Sequence, residues 1–88
     1  MVSKIIEVVN AEGLHMRPAG ILAAEMKNFA GCKVTLKVEE KTIKATSAMQ
    51  IMAAGIKCGS KIEITAEGEN EQAALDKAAA LFENGFGE

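Results

Sequence analysis

Between residues 33 and 38 the chain alternates without a break: Val34, Leu36 and Val38 are apolar, while Lys33, Thr35 and Lys37 are polar. A period of two places every second side chain on one face, so this stretch predicts a half-buried strand. Residues 2–9 carry Ile5, Ile6, Val8 and Val9 with no helical face, and predict a first strand rich in β-branched side chains. Residues 61–67 alternate again through Ile62, Ile64 and Ala66 and predict a fourth. A short run through Thr42, Ile43 and Lys44 should pair back on residues 33–38 as a hairpin. The connecting Glu39-Glu40 lacks the Asn-Gly chemistry of a tight primed turn, which predicts a looser connection.

The remaining segments follow a helical period. After a loop at Asn10-Ala11-Glu12-Gly13, Ala19, Leu22, Met26 and Phe29 recur at spacings of three and four, up to a stop at Gly31. Ser47-Ala48-Met49-Gln50 fits a capping box, a hydroxyl followed three residues later by a glutamine, and opens a short helix that ends at Gly55. Ile51, Ile56, Met49 and Met52 surround it, as core filler or as adaptable contact surface. Asn70 is placed to cap a last helix whose Ala74, Leu75, Ala78, Leu81 and Phe82 form one stripe, closed by Gly85.

The order is β-α-β-β-α-β-α. Four strands with one apolar face need the helices stacked on that face, which defines an α+β, open-faced two-layer sandwich with a four-stranded antiparallel sheet. Eighty-eight residues make one small domain, 1–88, with no room for a second.

With 49% hydrophobic residues, 25% charged and a formal net charge of −2, the chain reads as globular rather than disordered, and no Lys/Arg block marks a nucleic-acid footprint. No apolar run is long enough to insert in a membrane and no apolar signal segment opens the chain, so the expected compartment is the cytoplasm. Cys32 and Cys58 follow no CxxC spacing and have one histidine for company, which argues for two reduced thiols and against a metal site.

The only histidine, the only arginine and the only proline stand together in His15-Met16-Arg17-Pro18, where a glycine-containing loop becomes a helix. Backbone N–H groups at a helix start lack intrahelical acceptors and, with the helix dipole, favour an anion. An imidazole there is a nucleophile suited to a phosphoryl group, and the guanidinium two residues on offers a planar fork to the same oxygens. The bland reading is a histidine that merely caps a helix beside a solvated arginine, and spacing alone does not choose between the two. Nor does it place the helix start, because the residue before a proline is biased away from helical geometry: the cap is either His15, or a position nearer Arg17 with the helix opening at Pro18.

Gly13-Leu14-His15-Met16-Arg17-Pro18-Ala19 resembles the active-site signature of the histidine-containing phosphocarrier (HPr) family of the bacterial sugar phosphotransferase system. The likeness runs from the first strand to Gly85-Phe86-Gly87-Glu88. It implies that His15 accepts a phosphoryl group on ring Nδ1 from enzyme I, itself charged by phosphoenolpyruvate. His15 then hands the group to sugar-specific IIA domains, with Arg17 steadying the phosphoryl oxygens. The chain is then a monomeric shuttle, needs no cofactor and is not a turnover enzyme. The resemblance also implies partner docking through an apolar patch at Met16, Gly20, Ala48, Met49 and Met52. Ser47 satisfies the capping role in full, and it also matches the serine that a kinase/phosphorylase modifies in many relatives, where the phosphoserine form engages a transcriptional regulator. Both readings of Ser47 stand. Gly20, Ala48 and Glu39-Glu40 depart from residues common in the family, and the first two fall on the docking patch.

Two other functions fit parts of the pattern. One is a small acylphosphatase-like hydrolase binding phosphate through Arg17, although no motif surrounds Asn10, Asn28, Asn70 or Asn84 to orient a water. The other is a regulatory or nitrogen-branch homologue acting mainly through protein binding at Ser47.

Overall fold

The computed structural model describes residues 1–10 and 13–87. Its elements are β1 (Val2–Glu7), α1 (Met16–Lys27), β2 (Cys32–Val38), β3 (Lys41–Lys44), α2 (Ala48–Ala53), β4 (Lys61–Gly68), α3 (Glu71–Glu83) and a closing tight turn at Gly85–Gly87. The expected β-α-β-β-α-β-α order is present, with the closing turn added. Of the loop before α1, Ala11 and Glu12 lie outside the described residues, as does Glu88 at the chain's end.

The sheet runs β1-β4-β2-β3, every neighbour antiparallel. Register follows from the alternation. Val34 pairs with Ala66, Leu36 with Ile64 and Val38 with Ile62, so the apolar members of β2 and β4 share one face. That face packs on Leu22 and Met26 of α1 and on Ala74, Ala78 and Phe82 of α3, all fully buried. The outer face pairs opposite charges across strands, Lys33 with Glu67, Lys37 with Glu63 and Glu7 with Lys61, a pattern that favours this register over its slips.

β1 is shorter than the β-branched run, because the chain leaves the ladder after Glu7. Val8 then bonds the loop before β4, its N–H to the Ser60 carbonyl at 2.9 Å and its carbonyl to the Gly59 N–H at 2.8 Å. Register puts Lys4, not Ile5, opposite Ile64 on the core face, and Lys4 escapes burial by reaching over the edge to Glu83 at 3.2 Å. Ile5 faces solvent.

Other local expectations shift for stated reasons. α1 ends at Lys27 with Asn28 as its cap, and Gly31 serves instead where the chain turns tightly under Glu69, whose N–H donates to the Gly31 carbonyl at 2.9 Å. The β2–β3 connection is a tight two-residue turn, not a loose one; Val38 pairs with Lys41, and Glu39 takes a left-handed φ of 57° that the turn imposes. Asn70 occupies the α3 cap position but is left-handed and makes no side-chain cap bond. The Glu71 side chain turns back from the helix start: its carboxylate accepts the Gly68 N–H at 3.2 Å and holds the Met1 α-ammonium at 2.8 Å. The ammonium, and then the Gly68 N–H, hold the Glu71 carboxyl below its ordinary range, and the carboxylate raises the α-amino group in return. Gly55 and Gly85 stop α2 and α3 as expected.

Cys32 is buried, Cys58 exposed, and both are free thiols. Among the described residues no helix is long and apolar enough to cross a membrane, and no group of three His, Cys, Asp or Glu side chains is placed to hold a metal ion.

Candidate functional site

His15 is the N-cap of α1, with extended backbone (φ −81°, ψ −166°) and a side chain that makes no capping bond. Its carbonyl accepts the first helical bond from the Ala19 N–H at 3.1 Å. The helix start is therefore at Met16, and Pro18 is the third helical residue. A proline is tolerated there because the N–H it lacks would have had no intrahelical acceptor. The bias against helical geometry before proline is overridden at Arg17 by burial of Pro18 and Ala19 against the core.

No acidic side chain occupies the first turn of α1. The Met16 and Arg17 N–H groups, which lack intrahelical acceptors, lie at the positive end of the helix dipole beside a half-buried imidazole. Arg17 is exposed and joins no ion pair among the described residues, so its guanidinium is available to an incoming anion. A charged oxyanion placed here would meet backbone donors, a dipole and a planar cation together.

Three short contacts hold the loop that delivers His15. The Leu14 N–H donates to the Ile56 carbonyl at 3.1 Å, the Gly13 N–H to the Asn10 carbonyl at 3.0 Å, and Asn10 Nδ2 to the Gly85 carbonyl at 2.7 Å. Gly13 is required twice over. Its φ is +72°, and a Cβ would overlap the Ile56 carbonyl oxygen. The motif announced Gly13, whereas Asn10 carried no signal beyond being an asparagine in a predicted loop.

Ser47 caps α2 as expected, its Oγ accepting the Gln50 N–H at 3.3 Å. The capping box closes on one side only. The Gln50 Oε1 accepts the Lys44 N–H at 3.0 Å, while the Ser47 N–H is already donated to the Lys44 carbonyl at 3.2 Å. Ile51 and Ile56 are core, whereas Met49 is 78% and Met52 40% exposed. Met16 is 74% exposed on α1, which packs directly against α2. Three of the six exposed large apolar residues among those described thus stand on two touching helices, one of them capped by His15. Gly20 is exposed, with nothing within 4 Å of where a Cβ would lie, and Ala48 is half-buried against the core.

The described chain is thus an open-faced sandwich that places one imidazole at a helix start, with a guanidinium two residues on and exposed methionines on the neighbouring helix. The family model described as PTS HPr component phosphorylation site matches residues 2–84. The phosphocarrier protein HPr of Treponema pallidum is 38% identical over 88 residues, covering 100% of this chain and 99% of that protein. The crystal structure of HPr from Thermoanaerobacter tengcongensis superposes with a TM-score of 0.94 at 33% identity, covering 100% and 98% of the two chains. A crystal structure of the Bacillus subtilis protein Crh, described as a swapped dimer, superposes at 0.76 with 34% identity, covering 97% of each. The chain belongs to the HPr family of phosphotransferase-system phosphocarriers. It is accordingly a carrier and not a turnover enzyme, which sets aside the acylphosphatase-like reading.

Proposed function

We propose that this chain carries a phosphoryl group on His15, taking it from phosphoenolpyruvate-charged enzyme I and delivering it to IIA domains of sugar permeases. The observation that carries this reading is the imidazole at the N-cap of a helix with no acid in its first turn, followed within two residues by an exposed arginine. In the transfer, the lone pair of ring Nδ1 forms the new N–P bond and the proton stays on the other ring nitrogen. The electron pair of the broken bond leaves with the donor. The N–H groups of Met16 and Arg17, with the Arg17 guanidinium, receive the phosphoryl oxygens. These contacts are open to solvent, and that matters because a carrier that stabilised its cargo too strongly would not release it.

Partners dock on Met16, Gly20, Ala48, Met49 and Met52, where flexible methionines accept differently shaped surfaces. The chain acts as a single domain and a monomer in the cytoplasm. Incubation with phosphoenolpyruvate and enzyme I should add one acid-labile, base-stable phosphoryl group by mass; an unmodified mass contradicts the reading.

A second role is supported by Ser47, whose Oγ caps α2 next to that docking surface. A serine kinase/phosphorylase would place a dianion there, altering partner choice toward a transcriptional regulator. The likeness to Crh supports this arm, while the retained His15 argues against a purely regulatory homologue. Ser47→Asp should slow uptake of the phosphoryl group from enzyme I; an unchanged rate argues against an inhibitory switch.

A further inference from the structure

We propose that Asn10 is a positioning residue for phosphoryl transfer at His15, acting through a clamp between its buried carboxamide and the C-terminal turn. The proposal rests on the reading of His15 as the carrier. Asn10 is 6% exposed and is the one buried polar or charged residue among those described. Burying a carboxamide is costly unless its donors are used, and Nδ2 donates to the Gly85 carbonyl at 2.7 Å across 75 positions of sequence. The backbone carbonyl of the same residue accepts the Gly13 N–H at 3.0 Å. A single residue therefore ties the His15 loop to itself and to the far end of the chain.

The acceptor side of the clamp is held firmly. Phe86, next to Gly85, adopts φ 56°, a left-handed conformation that bulky side chains avoid. It persists because the ring is buried and packs edge-to-face on Phe82, the ring centres 5.0 Å apart. The same turn packs against α1, the helix that His15 caps. Asn10 is thus held by Gly85 and Leu14 by Ile56, and His15 follows Leu14 directly. An apolar residue at position 10 would serve burial equally well, so the carboxamide is explained by what it aligns.

Asn10→Asp keeps the side-chain shape and replaces the donor with an acceptor facing the Gly85 carbonyl. Phosphoryl uptake from phosphoenolpyruvate-charged enzyme I should lose about tenfold in kcat while KM stays within about twofold, because misalignment of a reacting group slows chemistry and the methionine patch is untouched. The His15 ring signals in a carbon–proton correlation spectrum should shift or split, with the methionine methyl signals unmoved. Phe86→Leu reaches the loop through Gly85, leaves residues 1–15 unaltered and should move the same two readouts in the same direction; it decides the matter if Asn10→Asp does not fold. A folded variant of either kind with the parental kcat and parental His15 signals, whatever its Tm, overturns the proposal. If the unaltered chain takes no phosphoryl group on His15, the reading beneath it fails, and that is seen before any variant is made.

Discussion

Ile64 and His15 lie in regions held by different kinds of contact. Ile64 is surrounded by side chains: Leu36 across the strand pair, and helices laid on the same face. His15 follows a loop held by single hydrogen bonds: the Leu14 N–H on the Ile56 carbonyl, the Gly13 N–H on the Asn10 carbonyl, and the Asn10 carboxamide on the Gly85 carbonyl. Side-chain packing is spread over many partners and tolerates conservative change, whereas single hydrogen bonds to specific carbonyls do not. The core gives the molecule its stability, and the loop bonds set where the backbone of His15 stands.

The sharpest way to separate the two regions is to damage each alone. Leu36→Ala empties a fully buried site in the sheet and should cost about 2–5 kcal/mol in urea unfolding, while the folded fraction still takes up a phosphoryl group. Loss of uptake by fully folded Leu36→Ala protein would show that the regions are not separable. Gly13→Ala inverts that result. A left-handed alanine pressed on the Ile56 carbonyl should cost roughly 2–4 kcal/mol, and uptake should fall even in the folded protein because the loop must shift. Parental kinetics in folded Gly13→Ala would mean that the loop contacts do not govern the site.

These two regions were also unequally legible in the sequence. The period of two in β2 and β4 and the spacing of three and four in α1 and α3 report burial directly, because each core residue is apolar for the same reason. Legibility failed at edges and ends. Lys4 takes a core-facing register because an edge strand lets its ammonium reach solvent and Glu83. Glu39 takes a left-handed turn because the pairing on either side demands it, and Asn70 holds the α3 cap position left-handed without a side-chain bond. At the site, residue types announced His15, Arg17 and Gly13, but not Asn10, since a bond to Gly85 across 75 positions leaves no local pattern.

Smaller effects sharpen the contrast at the surface. Gly20 sits mid-helix with open space around it, so Gly20→Ala should raise stability by about 0.5–1 kcal/mol, readable as a higher urea midpoint. No gain would mean that a Cβ at this position meets something, or that α1 is distorted there.

The smallest effect is the pH dependence of the Glu71–Met1 pair. Glu71 is held below its ordinary 4.5, so its contribution is present above that value and is lost as pH falls through the lowered one. The α-amino group is raised above 8.0, so its share is complete below that value and is lost as pH rises through the raised one. Both groups are solvent-exposed, and the Tm difference between the parent and Glu71→Gln should therefore be slight, largest between pH 5 and 8, and shrink on both sides. A difference that grows in acid would contradict the assignment.

The most direct measurement of the central claim is the location of the phosphoryl group after incubation with phosphoenolpyruvate and enzyme I, by fragment mass under alkaline conditions, in the parent and in His15→Ala. The parent should carry one group on His15, and His15→Ala none with an unchanged Tm. A group on any other residue of the parent, or full labelling of His15→Ala, would contradict it.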